Sequence, residues 1–542
     1  MSQRIINNEK NAFFPQAYDV SYTDIYDFSS KKQSLKKFEI ELKIHHQELG
    51  LKWDQPAPER LWPKIAEYCV NDVVATEAVF EARHADFLAR EILADIADGT
   101  VNDTTNSLTT KLIFGRERNP QRVFQYRDLA KPVYREELPS DMVDFLEANF
   151  PEMVARPHGE AKSYLPYFPG YEFKFGKSTY RDIETGEGGE VWAKPGMYGR
   201  VWTFDVASMH PHSVTSEYAF GKYTLIFNQL LEARVAIKHK DFEKAATYFD
   251  GKLKPYLTNP DDAKMLSNAL KIAINSVYGL TAASFPNAFR DERNKDNLIA
   301  KRGALFMVDL LYSVQEAGGE VIHIKTDSIK VVDPSPEIQK LIYETGKRYG
   351  YTFEVEHIFD RICLVNNAVY IAHCAEDDPE SPGYWEATGK QFQVPYVYKK
   401  LFTHEPIEFD DLCETKTVNS NLYLDMNEDQ EQLKKWHLEH GAGSFELNPS
   451  TGEELYHNYI FVGKAGLFCP ILPGRGGGLL LREAGDKYYS ATGSKDYRWL
   501  ESEVVANLGK KEDIDLSYYD RLVDEAADSI RSFGDLEWFT AV

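Results

Sequence analysis

EVIHIKTDSIKVVD, residues 320–333, decides how this chain is read. Two runs rich in β-branched residues flank a short polar turn, Lys325-Thr326-Asp327-Ser328, which is the pattern of a β-hairpin. Upstream, the spacing predicts a helix from about Asn297 to Ala317, stopped by Gly318-Gly319. Downstream, PEIQKLIYETGKRYG (336–350) reads as a helix and FEVEHI (353–358) as a strand. This helix–hairpin–helix–strand block points to a mixed α/β (α+β) chain and sets Asp327 on a rigid two-stranded turn. A carboxylate held there is well placed to ligate a metal ion. Taken singly, a solvated turn residue is the plainer explanation.

Working outward, VWTFDV (201–206) reads as a strand that stops at ASMHPHS, leaving Asp205 at its end near a turn favoured by Pro211. Alone, such an Asp is most simply a cap or a turn former. Two helices are expected next, Gln229–Phe249 and Asp261–Leu280, the second with Asn259 as N-cap and Pro260 in its first turn. In KIAINSVYGL (271–280), Lys271, Asn275 and Tyr278 stand at i, i+4 and i+7 and so share one face. A cation, an amide and a ring in line suit a nucleotide, the Lys for phosphate and the ring for stacking. An amphipathic helix with a core Tyr and a solvated Lys explains the same pattern equally well. Taken together, two carboxylates on β elements with a cationic helix face between them in sequence fit two-metal phosphoryl transfer. Mg²⁺ takes one or two protein carboxylates and completes its shell with phosphate and water. Two such ions about 3.5–4 Å apart activate an attacking hydroxyl and stabilise the leaving oxygen.

The segments DVASMHP (205–211), KIAINSVYG (271–279) and HIKTDS (323–328) resemble motifs A, B and C of the family B DNA polymerases, in the family order. Those patterns are D-x-x-S-L-Y-P, K-x-x-x-N-S-x-Y-G and Y-x-D-T-D-S, and motif B matches in full. LLEARVAIK (230–238) resembles the family's first fingers helix, and VEHIFDRICLVNNAVYIA (355–372) the segment leading into the thumb. The likeness covers roughly residues 165–420. It implies a palm–fingers–thumb architecture with an antiparallel β-sheet palm (201–228 and 283–375), helical fingers (229–282) and a thumb with a C-terminal extension (376–542), after a linker and pre-palm region (111–200). It also implies a DNA-templated DNA polymerase that extends the 3′-hydroxyl of a primer–template DNA with dNTPs. Asp205 and Asp327 would then bind two Mg²⁺ ions, with Mn²⁺ as a substitute and the Val206 carbonyl as a further ligand. Arg234, Lys238 and Lys271 would hold the triphosphate, and Asn275 and Tyr278 would line the nascent base-pair pocket.

The departures from the family pattern are specific. His210 replaces the Tyr that excludes ribose, so sugar selection would rest on an imidazole plane. Lys325 replaces the first Asp of D-T-D, where it would pair with Asp327 or meet a primer phosphate. The K-x-Y of the family reads Ala368-Val369-Tyr370 here, and Lys325 would substitute for the missing charge. Lys325, Ser328 and Tyr370 are thus the expected primer contacts. YCVND, Tyr68 to Asp72, matches the Y-x-x-x-D of the third exonuclease motif, while the D-x-E and Asn/Asp motifs that should precede it are missing. Residues 1–110 therefore read as a remnant or partial 3′–5′ exonuclease region, expected not to proofread unaided: either it is vestigial, or a separate exonuclease-bearing polypeptide supplies the missing strands and carboxylates. Asp205 to Lys271 is 66 residues and Lys271 to Asp327 is 56, which leaves little room for the insertions of protein-primed members. An ordinary nucleic-acid primer is expected. The compact form and the M-H-P variant resemble phage members, implying phage DNA replication in a bacterial host's cytoplasm.

Composition bounds these readings. The 542 residues carry 62 Lys+Arg against 85 Asp+Glu, a net charge of −23, which argues against a simple basic DNA-coating protein. Residues 201–350 hold 19 basic and 18 acidic residues, so the acidic excess lies outside the motif-bearing segment. That distribution suits phosphate-backbone binding in one channel and repulsion elsewhere. Apolar residues at 43 % exclude wholesale disorder. Five widely spaced cysteines without C-x-x-C argue against a disulfide framework or a thiolate zinc site. MSQRIINNEKNAFF lacks an apolar h-region, and Gly303–Val314, interrupted by Asp309, falls short of the ~20 residues a bilayer requires. A reduced, cytosolic protein with no membrane partner is expected. PGRGGG (473–478) lacks the G-K-[ST] ending of a phosphate loop and reads as a turn before a strand. Two rival readings are a catalytically impaired, polymerase-derived DNA-binding or scaffold subunit, and another two-metal nucleotidyltransferase such as a reverse transcriptase, whose Y-x-D-D turn is not present.

Overall fold

The structure is a computed structural model that describes residues 23–45, 48–51, 56–186, 188–440, 444–447 and 451–541. The leader reading of residues 1–14, and parts of the loops at 186–189 and 447–453, lie outside the described residues.

The Val201–Val206 strand lies inside a sheet of eight described strands, all paired antiparallel. Ser328–Val332 and Phe353–Asn366 flank it, with Asp205 opposite Ser328 on one side and Glu354 on the other. Beyond them lie Glu320–Thr326 and Glu190–Ala193 on one side, Val369–Cys374 and Trp385–Thr388 on the other, and Gly196–Tyr198 pairs with the far half of Phe353–Asn366. The hairpin predicted at 320–333 is thus present and sits beside the strand that carries Asp205. Its neighbouring helices also fall where expected, at Leu298–Glu316 and Pro336–Arg348.

The Leu298–Glu316 helix is apolar on nearly every side, as a helix sunk in a core must be. It crosses the Met209–Ser216 helix closely: a Cβ on Gly303 would lie 2.4 Å from Met209 Sδ. The same helix buries two cations, and each is answered. Arg302 Nε donates to Glu217 at 2.5 Å and its Nη2 to the Tyr349 carbonyl at 2.7 Å. Arg127 grips the same carboxylate at 2.6 and 2.8 Å. Burial alone would raise the Glu217 pKa, but the two guanidinium groups outweigh it and hold the carboxyl below its usual range. Lys301 Nζ donates to the Gly186 carbonyl at 2.6 Å.

A helical unit packs beside the sheet around Thr224–Lys238 and Pro260–Ala282, with His84–Ile96 and Thr105–Phe114 sharing its core. The second of these helices starts as predicted, Asn259 accepting the Asp262 N–H at 2.9 Å ahead of Pro260. The first does not run 229–249. It begins at Thr224 and ends at Lys238, because Lys240 turns to φ +61° and Asp241 caps a new short helix, Phe242–Ala245. The largely helical reading of residues 30–96 agrees with Leu35–Leu42, Trp62–Ala82 and His84–Ile96.

Residues beyond 376 build a second antiparallel sheet, in the order Lys487–Ser490, Leu479–Ala484, Glu414–Asp425, Tyr459–Ile471, Arg498–Glu501. Its own core gathers Phe468, Trp499, Tyr518 and Tyr519 under the amphipathic Leu516–Arg531 helix. The 473–478 turn does precede a strand. Cys413, just ahead of the Glu414–Asp425 strand, brings its sulfur within 3.4 Å of Cys469 on Tyr459–Ile471, yet all five cysteines are free thiols. Among the described residues, no helix is long and apolar enough to cross a membrane.

Candidate active site

The hairpin turn is unusually tight. The last paired residues are Lys325 and Ser328, so only Thr326 and Asp327 make the loop. Thr326, a β-branched residue, sits at φ +57°, and the Asp327 N–H donates back to the Lys325 carbonyl at 2.8 Å. A three-residue turn with a positive central φ is rare and strained, and such outliers gather at functional sites. Gly189 packs against it: it has φ +153°, and a Cβ there would come within 3.0 Å of Thr326 Cα.

The turn is tied to the neighbouring strand through its backbone, the Val206 N–H donating to the Asp327 carbonyl at 2.9 Å. Asp205 and Asp327 therefore stand together, part-buried, at one end of the sheet. Burial first, then the negative charges of Asp327 and Glu356, push the Asp205 carboxyl up to about 7, with Lys330 pulling the other way and Glu354 adding to the rise. Burial raises Asp327 as well. Two part-buried carboxylates that resist ionising together lack positive charge, and divalent cations fit what the site wants.

After Val206 the chain turns sharply. The Ala207 N–H bonds the Thr352 carbonyl at 2.9 Å and Ser208 takes φ +57°, which launches the Met209–Ser216 helix. This brings the His210 ring flat onto Tyr278, with centroids 4.1 Å apart and planes at 10°. Burial lowers the His210 pKa, so the ring is held neutral, and its Nδ1 is buried with no hydrogen-bond partner. Asn297 Nδ2 donates to the Tyr278 hydroxyl at 3.3 Å. The 205–211 and 271–279 segments thus meet through one aromatic stack.

The other expected contacts are less gathered. Lys271 and Asn275 share a cavity of about 760 Å³ walled partly by Asp27, Ser30, Lys32 and Asp86 of the N-terminal region. Tyr278 lines a different cavity, between the 173–188 segment and residues 281–297. Neither cavity includes Asp205 or Asp327. Arg234 is half-buried with its Nε unpartnered, and burial lowers its pKa; Lys238 is exposed. Among the described residues Lys325 does not pair with Asp327; its side chain is exposed at the hairpin end. Ser328 Oγ donates to the Lys325 carbonyl at 3.3 Å. The cation beside Tyr370 is Lys330, 5.1 Å from the ring centroid, rather than Lys325.

Lys330, Glu354 and Glu356 are the residues the sequence reading missed. Lys330 is 5 % exposed, a cation inside the run SIKVV, where alternation alone would place a solvated or core residue. It pairs in register with Thr203 and His323, and so shares a face with Asp205 and Ser328. Burial lowers its pKa, against the pull of Glu386, Glu356 and Asp205. Only the strand order brings these groups to Asp205.

In the N-terminal region, Tyr68 and Asp72 face a lysine. Lys36 Nζ lies 2.6 Å from Asp72 and 4.6 Å from the centre of the Tyr68 ring, and 3.2 Å from Glu39. Burial disfavours the ammonium, but the carboxylates of Asp72 and Glu39 prevail and raise its pKa. Asp72 is thus paired with a protein cation.

The chain matches no sequence family and no curated protein sequence. Among solved structures it is similar to the family B DNA polymerase from the hyperthermophilic archaeon Pyrobaculum calidifontis, at 14 % identity and a TM-score of 0.39. The alignment covers 94 % of this chain and 63 % of that one, so the chain spans less than two thirds of that polymerase.

Proposed function

We propose that the chain is a DNA-templated DNA polymerase of the family B kind, extending a primer 3′-hydroxyl with dNTPs, in phage replication and without autonomous proofreading. The observation that carries this reading is the carboxylate pair, Asp205 and Asp327, brought together by the Val206–Asp327 backbone bond, both raised by burial and Asp205 further by Asp327, a pair that a cation would relieve. Asp205, Asp327 and the Val206 carbonyl would hold Mg²⁺ or Mn²⁺, which supplies hydroxyl activation and neutralises phosphate charge. The chain's own residues do the rest. The His210–Tyr278 stack forms a flat, neutral wall against which a sugar and base would settle. Lys271, Arg234 and Lys238 supply positive charge for a triphosphate, favouring departure of pyrophosphate. Lys325 and Ser328, at the hairpin tip, would meet the primer strand, with Tyr370 on the same face as the buried Lys330.

The Lys36–Asp72 ion pair, 2.6 Å long, supports the lack of autonomous proofreading. The exposed Trp62, Val70, Val73 and Val74 on the Asp72 helix support a partner polypeptide there. A second reading, a DNA-binding subunit without turnover, draws on Lys325 standing where a carboxylate is expected. Primer extension with Mg²⁺ and dNTPs on a DNA template separates the two. Activity that falls at least about 10²-fold in Asp327→Asn supports the polymerase; DNA binding without extension by the parent chain refutes it. Repeating the assay with rNTPs and with an RNA template defines sugar and template class.

A further inference from the structure

We propose that His357, Cys374 and Glu386 form a zinc-type metal site, separate from the carboxylate pair, that pins three strands of the central sheet beside Tyr370. One ligand atom from each residue lies within 4.8 Å of the others. They come from three adjacent strands, Phe353–Asn366, Val369–Cys374 and Trp385–Thr388. Two register shifts aim them: one where His357 follows Val355 against Thr203–Phe204, the other between His373 and Cys374. Bulges of this kind re-aim side chains at sites.

The outer contacts have the form that metal ligands take. His357 Nδ1 faces Asp378 at 3.3 Å, and Asp378 is itself fixed by the N–H groups of Ile358, Glu380 and Ser381 at 2.6, 2.9 and 2.6 Å. Those donors overcome the effect of burial and keep the Asp378 carboxyl below its usual range. An anionic partner on Nδ1 holds the proton there and leaves Nε2 as a lone pair, the carboxylate–histidine–metal arrangement. Nε2 points at Glu386 Oε2, 3.4 Å away. That oxygen is buried and accepts no hydrogen bond, while the other carboxylate oxygen is held by the Tyr370 hydroxyl. Two ligands of one tetrahedral zinc, bonded at about 2.0–2.1 Å, stand about 3.4 Å apart.

The donor set selects the ion. An imidazole, a thiolate and a carboxylate suit Zn²⁺ rather than the Mg²⁺ expected at Asp205, which prefers oxygen alone. Cys374 is 1 % exposed, and its thiol would give up its proton as the metal binds. Thiolate and carboxylate then balance the dication.

The test is independent of polymerase activity. The intact chain, freed of metal, is titrated with Co²⁺ and separately with Zn²⁺, reading bound metal per chain and the thiolate-to-cobalt charge-transfer band. One tightly held ion with that band is expected. Cys374→Ser should abolish the band, Glu386→Gln should weaken binding about tenfold or more, and Cys413→Ser should leave both unchanged. The carboxylate pair contains no sulfur and cannot produce the band. A parent chain with no thiolate band, or a band that survives Cys374→Ser, overturns the proposal. Near-ultraviolet circular dichroism of metal-free Glu386→Gln, matching the parent, ties its weaker binding to the lost ligand.

Discussion

Replacing Asp205 by Asn should abolish nucleotidyl transfer and yet stabilise the metal-free fold above pH 7. The folded Asp205 carboxyl titrates at about 7 against a usual 3.8, so the folded chain holds this proton more tightly than the unfolded one. For an acid raised in this way, the favourable contribution is complete below the unfolded value and is lost as pH climbs through the folded value. Stability should therefore fall between about pH 4 and pH 7, and the ionised group is a net penalty above that. Three units at about 1.4 kcal/mol each would give about 4 kcal/mol. Asp205 is only part-buried, and solvent screening reduces this to about 1–2 kcal/mol. Asn carries no such penalty. Thermal unfolding in a chelator at pH 8 should show the variant melting higher, by about 2–4 °C per kcal/mol for a unit of 150–250 residues. At pH 5 the gap should shrink to about a third, and Mg²⁺ should raise the parent's transition but not the variant's. A variant that melts at or below the parent at pH 8, or a gap that ignores pH, refutes the reasoning.

Other outcomes follow from the same geometry. Lys330→Met removes a charge that lowers the Asp205 pKa, so the acid limb of the extension rate against pH should move to higher pH; a limb that stays put or moves down contradicts it. His210→Ala deletes a ring stacked 4.1 Å from Tyr278, an interaction worth about 0.5–1.5 kcal/mol. The dNTP-to-rNTP ratio of kcat/KM should then fall about 2- to 10-fold. Glu217→Gln leaves Arg302, buried at 0 % exposure, without its counter-charge. It should lower stability by about 3–5 kcal/mol, read as a shift of the urea midpoint.

Local pattern was enough for the elements that carry the site. Alternating β-branched residues around a four-residue polar turn define the 320–333 hairpin, and Asn259-Pro260 defines the start of the long helix. Both signals are chemical and local, so no distant contact needed to be known. The preceding helix ends before its apolar spacing does, because the stop comes from a left-handed Lys240 and an Asp241 cap. The region beyond 376 was nearly illegible. Apart from the Leu479–Ala484 and Lys487–Ser490 hairpin, the five strands of its large sheet pair across long intervals, and their alternation means little until the register is known.

Sequence by itself determined which residues are the chemical candidates: Asp205, Asp327, and the Lys271–Asn275–Tyr278 face at helical spacing. Tertiary structure alone decided which of them share a site. The Val206–Asp327 backbone bond joins the two carboxylates, and the His210–Tyr278 stack joins the first motif to the second, whereas Lys271 and Asn275 open onto a cavity partly walled by the N-terminal region. It also supplied what no spacing encodes. Lys330 and Glu356 reach Asp205 through strand order, and Lys36 reaches Asp72 through helix packing. His357, Cys374 and Glu386 converge through two bulges, with no C-x-x-C to announce them. The reason is physical: residue type and local period are properties of the chain, but electrostatics and ligation depend on distances that only the folded sheet sets.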